Sequence, residues 1–332
     1  MIWKLPSRRA VLSTVCLAPW ALPSRAHEAP QGKVVLTYSD TVTEADPRAR
    51  ILREVFGATL GADFEFKPYF GATLFKQGTE PVAMQRGNLD MANLAAFDVQ
   101  KQIPAWSITT TPYLFRDLAH MKKVFASDVG RELFKQMEDQ MGIKVLAVPY
   151  IGTRHLTLKP KKKIMTPADL AGIKLRMPPG EGWQFVGSAL GANPVPVAFT
   201  EVYTALQTGA IDAQDNPLGA NKSMKFYEVS SQTVLTSHLI ANNLFAISLK
   251  KWQGLSPAQQ KTLQAAADKF SDAITEQALK DERELVDFFK AQGLEIYTPD
   301  VAAFRKHVLD VYAKSKWAKE WTPGMLERIN AL

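Results

Sequence analysis

The sequence predicts an α/β fold divided into two lobes, with one long C-terminal helix spanning both lobes. Three observations predict this fold. About 306 of the 332 residues remain once a leader of 26 residues is set aside, and chains of that length usually form two cores. Strand-like and helix-like segments alternate, which is typical of layered α/β proteins with mostly parallel strands. The stretch from Ala258 to Gln292 contains no proline or glycine.

The first 26 residues have the layout of an export signal. Residues 1–9 carry three basic side chains and no acid, residues 10–22 form a short apolar run, and small residues precede an expected cleavage near His27. The apolar run is shorter than the roughly 20 residues that span a bilayer. Because Arg8 and Arg9 also fit a twin-arginine signal, the twin-arginine and general routes both stay open. A buried N-terminal helix is the alternative interpretation.

Removal of the leader changes the cysteine count and the charge. The single cysteine, Cys16, lies in the leader, so the mature chain has neither a disulfide nor a thiol nucleophile. The leader holds four basic residues and no acid, which lowers the formal charge from +7 to +3. The basic run from Lys159 to Lys163 could contact nucleic acid, but a solvated turn is the favoured interpretation. We expect a periplasmic, soluble protein with no nucleic-acid partner.

The first lobe is predicted to begin with β-α-β-α-β order. Its predicted strands are Lys33–Ser39, Phe64–Tyr69, Leu89–Leu94 and Ile143–Tyr150, and its predicted helices are Pro47–Leu60 and Pro81–Arg86. Gly61 and Gly87 end the two helices, as glycine commonly does.

The second lobe follows Gly152 with the same alternation. Its predicted extended segments are His155–Leu158, Ile173–Met177 and Pro194–Val197, and its predicted helices are Glu181–Leu190 and a helix capped by Thr200 that runs to Gly209. Thr166 to Asp169 has the pattern of a capping box.

A second capping box, Ser256 to Gln259, begins the long helix, which Gly293 ends. At 1.5 Å per residue this helix is about 50 Å long and could lie across both lobes, although two helices with a kink are the alternative. We expect lobe I to comprise residues 27–151 plus 241–280, and lobe II residues 152–240 plus 281–332.

Arg176 is a candidate anion-binding residue on physical grounds. Leu175 and Met177 alternate with it along a strand, so Arg176 should face the opposite side. Pro178 and Pro179 end the strand at once, and ligands of open α/β sheets bind beyond the carboxyl ends of strands. The planar guanidinium fork suits a carboxylate, and a helix N-terminus nearby favours an anion. An ordinary surface arginine is the alternative.

Several segments together resemble the substrate-binding proteins of TRAP transporters, the tripartite ATP-independent periplasmic family (DctP-like). The segments are Gly152-Thr153-Arg154, Lys174-Leu175-Arg176-Met177-Pro178 and the run from Leu190 to Pro217. The resemblance implies a two-lobed periplasmic binding protein fold. It also implies capture of a small carboxylate for sodium-coupled uptake through a permease with small and large integral components.

The resemblance also implies roles for residues that match the family's motifs. Arg176 matches the arginine that forms the main salt bridge with the ligand carboxylate, and Arg154 matches one that supports the ligand or its water network. Phe199 matches an aromatic residue that packs on the ligand. Asn216 matches an asparagine that reaches the carboxylate, although an N-cap before Pro217 is the alternative.

The first lobe and the lobe crossings add weaker candidates. Ala95 occupies a loop position where sialic acid binders carry an acid, so a smaller or less hydroxylated ligand is expected. Ser39, Tyr69 and Phe70 lie at strand ends that we expect to face the same cleft. Trp183 could close the pocket or belong to the core. Asn242, or its neighbour Asn243, could meet a polar ligand group.

No pattern for catalysis, a metal or a cofactor is present in the sequence. Nucleophile-elbow, zinc-protease, phosphate-loop and dinucleotide motifs are absent, and the five histidines lack metal-ligand spacing. Asp212 and Asp215 could hold a cation, but local turns are the favoured interpretation. We expect a monomeric binding protein that is not an enzyme. The alternatives are a sensor that presents its ligand to a membrane receptor and a periplasmic enzyme on the same frame.

Overall fold

The computed structural model describes residues 1–3 and 32–332. Apart from its first three residues, the predicted export signal lies outside the described residues, and so do Cys16 and the expected cleavage point near His27. Residues 33–332 form one unit. In the described ranges, no helix has both the length and the apolar character that crossing a membrane requires.

Two sheets and a set of surrounding helices make up this unit. The strands, β1 to β11 in chain order, are Val34–Ser39, Phe64–Tyr69, Met91–Leu94, Ile143–Ala147, Tyr150–Leu158, Lys174–Met177, Asn193–Pro196, Ala213–Asn216, Gln232–Asn242, Leu244–Ser248 and Glu295–Tyr297. The α-helices, α1 to α13, are Pro47–Ile51, Glu80–Gln85, Ala96–Val99, Leu118–Ala126, Asp128–Met141, Glu181–Ala189, Val202–Thr208, Leu218–Ser223, Leu249–Gln253, Pro257–Ala291, Val301–Ala313, Lys316–Lys319 and Met325–Asn330. A π-helical segment covers Leu52–Gly57, and 3₁₀ helices cover Pro104–Thr110, Pro167–Leu170, Phe199–Glu201 and Phe226–Val229.

The first lobe is built on a five-stranded sheet with the order β2-β1-β3-β10-β4. β1 pairs in parallel with β2 and β3, whereas β10 runs antiparallel to β3 and β4. Separate buried clusters pack in this lobe, one around Trp106 and Leu133 and the other around Phe56 and Phe245. The predicted strands at residues 33–39, 64–69 and 89–94 are confirmed as β1, β2 and β3.

The second lobe is built on a six-stranded sheet with the order β11-β9-β5-β8-β6-β7. β6 pairs in parallel with β7 and β8, but β5 runs antiparallel to β8 and β9. The expectation of mostly parallel strands is confirmed apart from one strand in each sheet, because β10 in the first sheet and β5 in the second run antiparallel to both of their neighbours, whereas β9 pairs in parallel with β11. Leu175 and Met177 of β6 are wholly buried in the core, as their alternation predicts.

Several boundaries of the predicted elements are wrong, including that of the strand predicted from His155, which begins at Tyr150. The strand predicted from Ile143 to Tyr150 ends at Ala147, and Tyr150 already begins β5 in the other sheet. Thr200 does not cap a helix, because it lies within a 3₁₀ turn and α7 begins only at Val202. The capping boxes at Thr166 and Ser256 are both confirmed.

The chain changes sheets at three places. It passes from β4 to β5 through residues 148–149, from β9 to β10 through Asn243, and back to the second sheet along α10 before β11. The short connections bring the carboxyl ends of strands from both sheets toward one cleft. The lobe limits drawn from the sequence, at residues 151, 240 and 280, stay a prediction.

The long C-terminal helix is one continuous helix, α10, of 35 residues. Its N-terminal half places Leu263, Phe270 and Ile274 in a buried cluster of the first lobe. Its C-terminal half places Leu285 and Phe289 in a cluster of the second lobe. The helix therefore spans both lobes, as predicted, and the alternative of two helices with a kink is wrong.

Candidate functional site

A cavity lies between the two lobes. It holds about 710 Å³ of space free of protein atoms, counted out to its mouth. The second lobe contributes Arg154, Arg176, Trp183, Phe199 and Asn216 to its walls. The first lobe contributes Arg48, Gln77, Glu80, Asn93, Ala95 and Asp98. The strand ends of both sheets thus supply the lining, which is where ligands of α/β sheets bind.

Arg176 is buried at the second-lobe wall although it lines the cavity. It follows Leu175 on β6 and lies on the face of the strand opposite the core. Its Nε donates to the carbonyl oxygen of Val197 at 2.9 Å, and its Nη2 has no hydrogen-bond partner among the residues that the structure describes. Burial lowers the pKa of Arg176 to about 9, which the charge of Asp215 opposes and that of Arg154 reinforces. Burial of the guanidinium cation costs free energy. An anion placed in the cavity would offset this cost, because opposite charge stabilises a buried cation.

Arg154 is also buried, but its charge is matched inside the protein. Its Nε lies 2.6 Å from Oδ2 of Asp215, and its Nη2 donates to Oδ1 at 3.0 Å and to the backbone carbonyl of Asp215 at 2.7 Å. His238 completes this group, with Nε2 3.2 Å from Oδ2 of the same carboxylate. Arg154 is thereby fixed in orientation beside Arg176.

The carboxyl group of Asp215 is held ionised by this arrangement. Burial by itself raises the pKa of Asp215, but the charge of Arg154 and the hydrogen bond with His238 outweigh burial and keep that pKa well below its usual range. Asp215 is therefore an internal counterion and not a turn residue. Asp212 accepts a hydrogen bond from the backbone N–H of Lys174 at 2.9 Å and so joins its loop to β6. Within residues 1–3 and 32–332, no group of three or more side chains is arranged to hold a metal ion.

Two aromatic side chains complete the second-lobe wall. The ring of Phe199 lies 5.9 Å from the guanidinium carbon of Arg176. Trp183 packs with the core of its lobe and also lines the cavity, so the core interpretation is confirmed and its closing of the pocket stays a prediction. The guanidinium carbon of Arg154 is 4.8 Å from the Trp183 ring, and the ring of Phe97 stacks on Trp183 at 3.5 Å between centroids. Because Phe97 belongs to the first lobe, this stack joins the two walls.

Asn216 ends β8 and lines the cavity. Its Nδ2 donates to Oε1 of Gln214 at 2.6 Å, and an amide nitrogen has two hydrogens, so one of them is not used in this bond. The N-cap of the following helix is Pro217, which means that the alternative of Asn216 as the N-cap is wrong.

The first-lobe wall contains acidic residues that the sequence analysis missed. Glu80 and Asp98 are both buried and line the cavity. Burial raises the pKa of Glu80 to about 8, and the carboxyl groups of Asp98 and Asp40 add to that rise. Burial also raises the pKa of Asp98, although Lys101, whose Nζ is 2.6 Å away, opposes the rise. In the sequence Glu80 resembles any acid in the first turn of a helix, and Asp98 lies three residues after the candidate Ala95.

The weaker candidates divide between the cavity and its surroundings. Ala95 lines the cavity, and Asn243 lines both it and an adjoining space of about 370 Å³ that Asn242 also lines. Ser39, Tyr69 and Phe70 are not among the lining residues. After β1, the first residues that line the cavity are Thr41 and Val42.

Each of the three residues outside the cavity has another environment. Ser39 is wholly buried, and Phe70 packs in a core cluster of the first lobe under the guanidinium group of Arg53. Tyr69 is 38% exposed at the last position of β2. Strand-end position alone therefore did not identify the lining of the first lobe.

Comparisons with known proteins agree with this architecture. The family model described as "Bacterial extracellular solute-binding protein, family 7" matches residues 45–319. The sialic acid-binding periplasmic protein SiaP of Vibrio cholerae is 34% identical over 226 residues, which is 68% of this chain and 70% of that protein. The 2,3-diketo-L-gulonate-binding periplasmic protein YiaO of Escherichia coli is 34% identical over 64% of each chain.

A solved structure is similar over almost its full length. It is a TRAP periplasmic solute-binding protein from Roseobacter denitrificans with bound 3-deoxy-D-manno-oct-2-ulosonic acid (KDO). The two chains are 44% identical, with a TM-score of 0.88 over 90% of this chain and 99% of the other.

Proposed function

Because the chain belongs to family 7 of the bacterial extracellular solute-binding proteins, we propose that it captures a small organic acid with one carboxylate group for sodium-coupled uptake by a TRAP transporter. The observation that carries this proposal is the buried Nη2 of Arg176, which lines the interlobe cavity without a protein partner in the described part of the chain. A ligand carboxylate would accept from this nitrogen and neutralise the charge.

The ligands of related proteins support a carboxylate. SiaP is named for sialic acid, YiaO for 2,3-diketo-L-gulonate, and the Roseobacter protein holds KDO; all three ligands are acids. Members of this family are periplasmic binding proteins. For this chain we infer export by the signal of residues 1–26 with cleavage near His27, a monomeric state, and recognition by the small and large membrane components of a permease. We also infer that it returns its ligand unchanged and is not an enzyme.

We infer that binding closes the two lobes on the ligand. Contacts between the lobes stabilise the closed form, and a ligand that touches both walls favours closure because those contacts exist together only in that form. Three contacts of this type support the inference. Phe97 stacks on Trp183, the backbone N–H of Phe199 donates to Gln77 Oε1 at 3.0 Å, and the hydroxyl of Ser223 donates to Asp46 Oδ2 at 2.8 Å.

Replacement of Arg176 tests the proposed function. Isothermal titration calorimetry would compare the wild type, Arg176→Ala, Arg176→Lys and the control Arg50→Ala, whose side chain is exposed and pairs with Glu54. The probes are KDO, L-galactonate and pyruvate. Loss of one partner from a buried charge pair costs about 3–5 kcal/mol, so Arg176→Ala should weaken every acid about a hundredfold or more.

The lysine variant separates charge from geometry. It keeps the positive charge but not the planar fork, so it should recover only part of the lost affinity. Unchanged affinity of Arg176→Ala for every probe that the wild type binds would contradict the proposed role of Arg176.

A further inference from the structure

Glu80 lies on the wall opposite Arg176 and has an unusual environment for a carboxyl group. It is only 6% exposed, and it lines the cavity. The backbone N–H groups of Gly78 and of Glu80 itself interact with its carboxyl group, but in residues 32–332 no side chain donates a hydrogen bond to it and no basic side chain forms an ion pair with it. It begins the short helix α2, and Thr79 before it makes no side-chain cap. A buried carboxyl group without a side-chain partner requires an explanation, because burial of an unmatched polar group is costly.

The other charged groups around the cavity are already matched. Arg48 pairs with Asp46 at 2.8 Å, Arg154 with Asp215 at 2.6 Å, and Lys101 with Asp98 at 2.6 Å. Asp40, behind the wall, accepts from the hydroxyl of Tyr38, the backbone N–H of Val42 and the amide of Asn93. Among the described residues, Nη2 of Arg176 has no partner and the carboxyl group of Glu80 has only backbone N–H groups as partners, so both can still bind groups of a ligand.

The protonation state of Glu80 limits what that partner can be. Its pKa of about 8 means that most Glu80 carries its proton near neutral pH. A protonated carboxyl group donates one hydrogen bond and accepts others, as a hydroxyl group does, and it offers no negative charge. An ammonium group would require Glu80 to lose its proton inside the protein. A ligand hydroxyl would not.

We propose that Glu80 is a specificity-determining residue that exchanges hydrogen bonds with hydroxyl groups at the end of the ligand far from its carboxylate, so that the preferred ligand is a polyhydroxylated monocarboxylic acid. This inference rests on the proposed function, because it takes the carboxylate to lie at Arg176. Asn93 supports it from the same wall: its Oδ1 is buried without a partner in the described chain, and the residue lines the cavity. The inference also revises the expectation, drawn from Ala95, of a less hydroxylated ligand.

The test is a comparison of ligands with and without hydroxyl groups on variants of Glu80. Calorimetry at pH 6.5 would measure KDO, L-galactonate, pyruvate and 4-aminobutyrate against the wild type, Glu80→Gln and Glu80→Leu. Glu65→Gln is the matched control, since Glu65 is an exposed glutamate of the same lobe. Circular dichroism and a thermal melt would verify that each variant is folded.

Glu80→Leu should weaken the hydroxylated acids about tenfold to a hundredfold, because ligand hydroxyl groups would lose their partner on desolvation. Its affinity for pyruvate should change less than about threefold. Glu80→Gln should keep the affinity for the hydroxylated acids within a few-fold at pH 6.5, since a neutral amide also donates and accepts.

Three results would overturn the inference. One is an equal effect of Glu80→Leu on all acids, or no effect on any. Another is a wild type that binds pyruvate more tightly than either hydroxylated acid. The third is tight binding of 4-aminobutyrate that Glu80→Gln abolishes, which would assign Glu80 to an ammonium group. If Arg176→Ala removes binding while Glu80→Leu leaves selectivity unchanged, the proposed function stands and only this inference fails.

Discussion

The two walls of the interlobe cavity hold their ionisable groups in opposite ways. On the second-lobe wall, Asp215 fixes Arg154 as an ionised pair, and Arg176 stays cationic beside it. On the first-lobe wall, burial raises the pKa values of Glu80 and Asp98, which favours their neutral forms. Under the proposed function, the second-lobe wall would recognise the charge of the ligand and the first-lobe wall its uncharged groups.

The largest effect is expected from breaking the ion pair of the second-lobe wall. Arg154→Ala leaves the wholly buried carboxylate of Asp215 with His238 as its remaining side-chain partner. Loss of one partner from such a pair costs about 3–5 kcal/mol, so the free energy of unfolding should fall by that amount in a urea titration. The double variant Arg154→Ala, Asp215→Asn should regain part of this loss. A decrease below about 1 kcal/mol would show that the pair does not organise this wall.

The next effect concerns the first-lobe wall and is a pH dependence of stability. The pKa of Glu80 is about 8 in the folded protein, against a reference value of 4.5. Between these values the folded state binds more protons than the unfolded state, so stability falls as pH rises. From pH 5 to pH 8 the wild type should lose up to about 3 kcal/mol more than Glu80→Gln.

Urea unfolding of both proteins at the two pH values measures this difference. Titrating groups that do not interact with Glu80 are common to both proteins and cancel in the comparison, whereas Asp98 and Asp40, which add to the rise in the pKa of Glu80, contribute to the measured difference. The control Glu65→Gln should follow the wild type. Parallel pH curves for the wild type and Glu80→Gln would mean that Glu80 is ionised across this range.

A smaller effect is expected where the two walls meet. Phe97→Leu removes the ring that stacks on Trp183 across the cleft. Aromatic pairs contribute about 0.5–1.5 kcal/mol, so affinity for all acids should fall about two- to tenfold, without a change in the order of preference. Stopped-flow binding would assign the loss mainly to faster dissociation.

The matched control for this stack is Phe185→Leu. The ring of Phe185 packs at 4.8 Å on Tyr312 within the second lobe. This variant should lose stability but keep its affinity. A loss of affinity in both variants would mean that the stack at Phe97 has no special part in closure.

The smallest effect is expected outside the cavity. Tyr69 is partly exposed and is not among the lining residues. Tyr69→Ala should change the affinity for KDO less than about twofold in calorimetry. A tenfold loss of affinity would show that the end of β2 contacts the ligand.

The sequence predicts the second-lobe wall much better than the first. Alternation of Leu175, Arg176 and Met177, followed by two prolines, is a local pattern, and it places Arg176 correctly at the cavity. The long helix is equally local, because a capping box at Ser256 and an unbroken stretch define it. Both predictions depend on neighbours in the chain and not on the packing of distant segments.

The first-lobe wall depends on packing that no local pattern contains. Glu80 lines the cavity because α2 follows a loop that reaches the cleft. The burial of Glu80 depends on packing with residues far along the chain. Strand-end reasoning selected Ser39, Tyr69 and Phe70, but none of these three residues lines the cavity. The strands β9 and β10 were not predicted either, since both are mostly buried and so lack the alternation of a strand with one exposed face.

A crystal structure of the full-length mature protein with bound KDO or L-galactonate tests the central claim most directly. We predict one carboxylate within hydrogen-bond distance, about 3 Å, of Nη2 of Arg176. We also predict hydroxyl groups of the same ligand beside the carboxyl group of Glu80. A carboxylate bound elsewhere, with Arg176 making no contact to the ligand, would contradict the account.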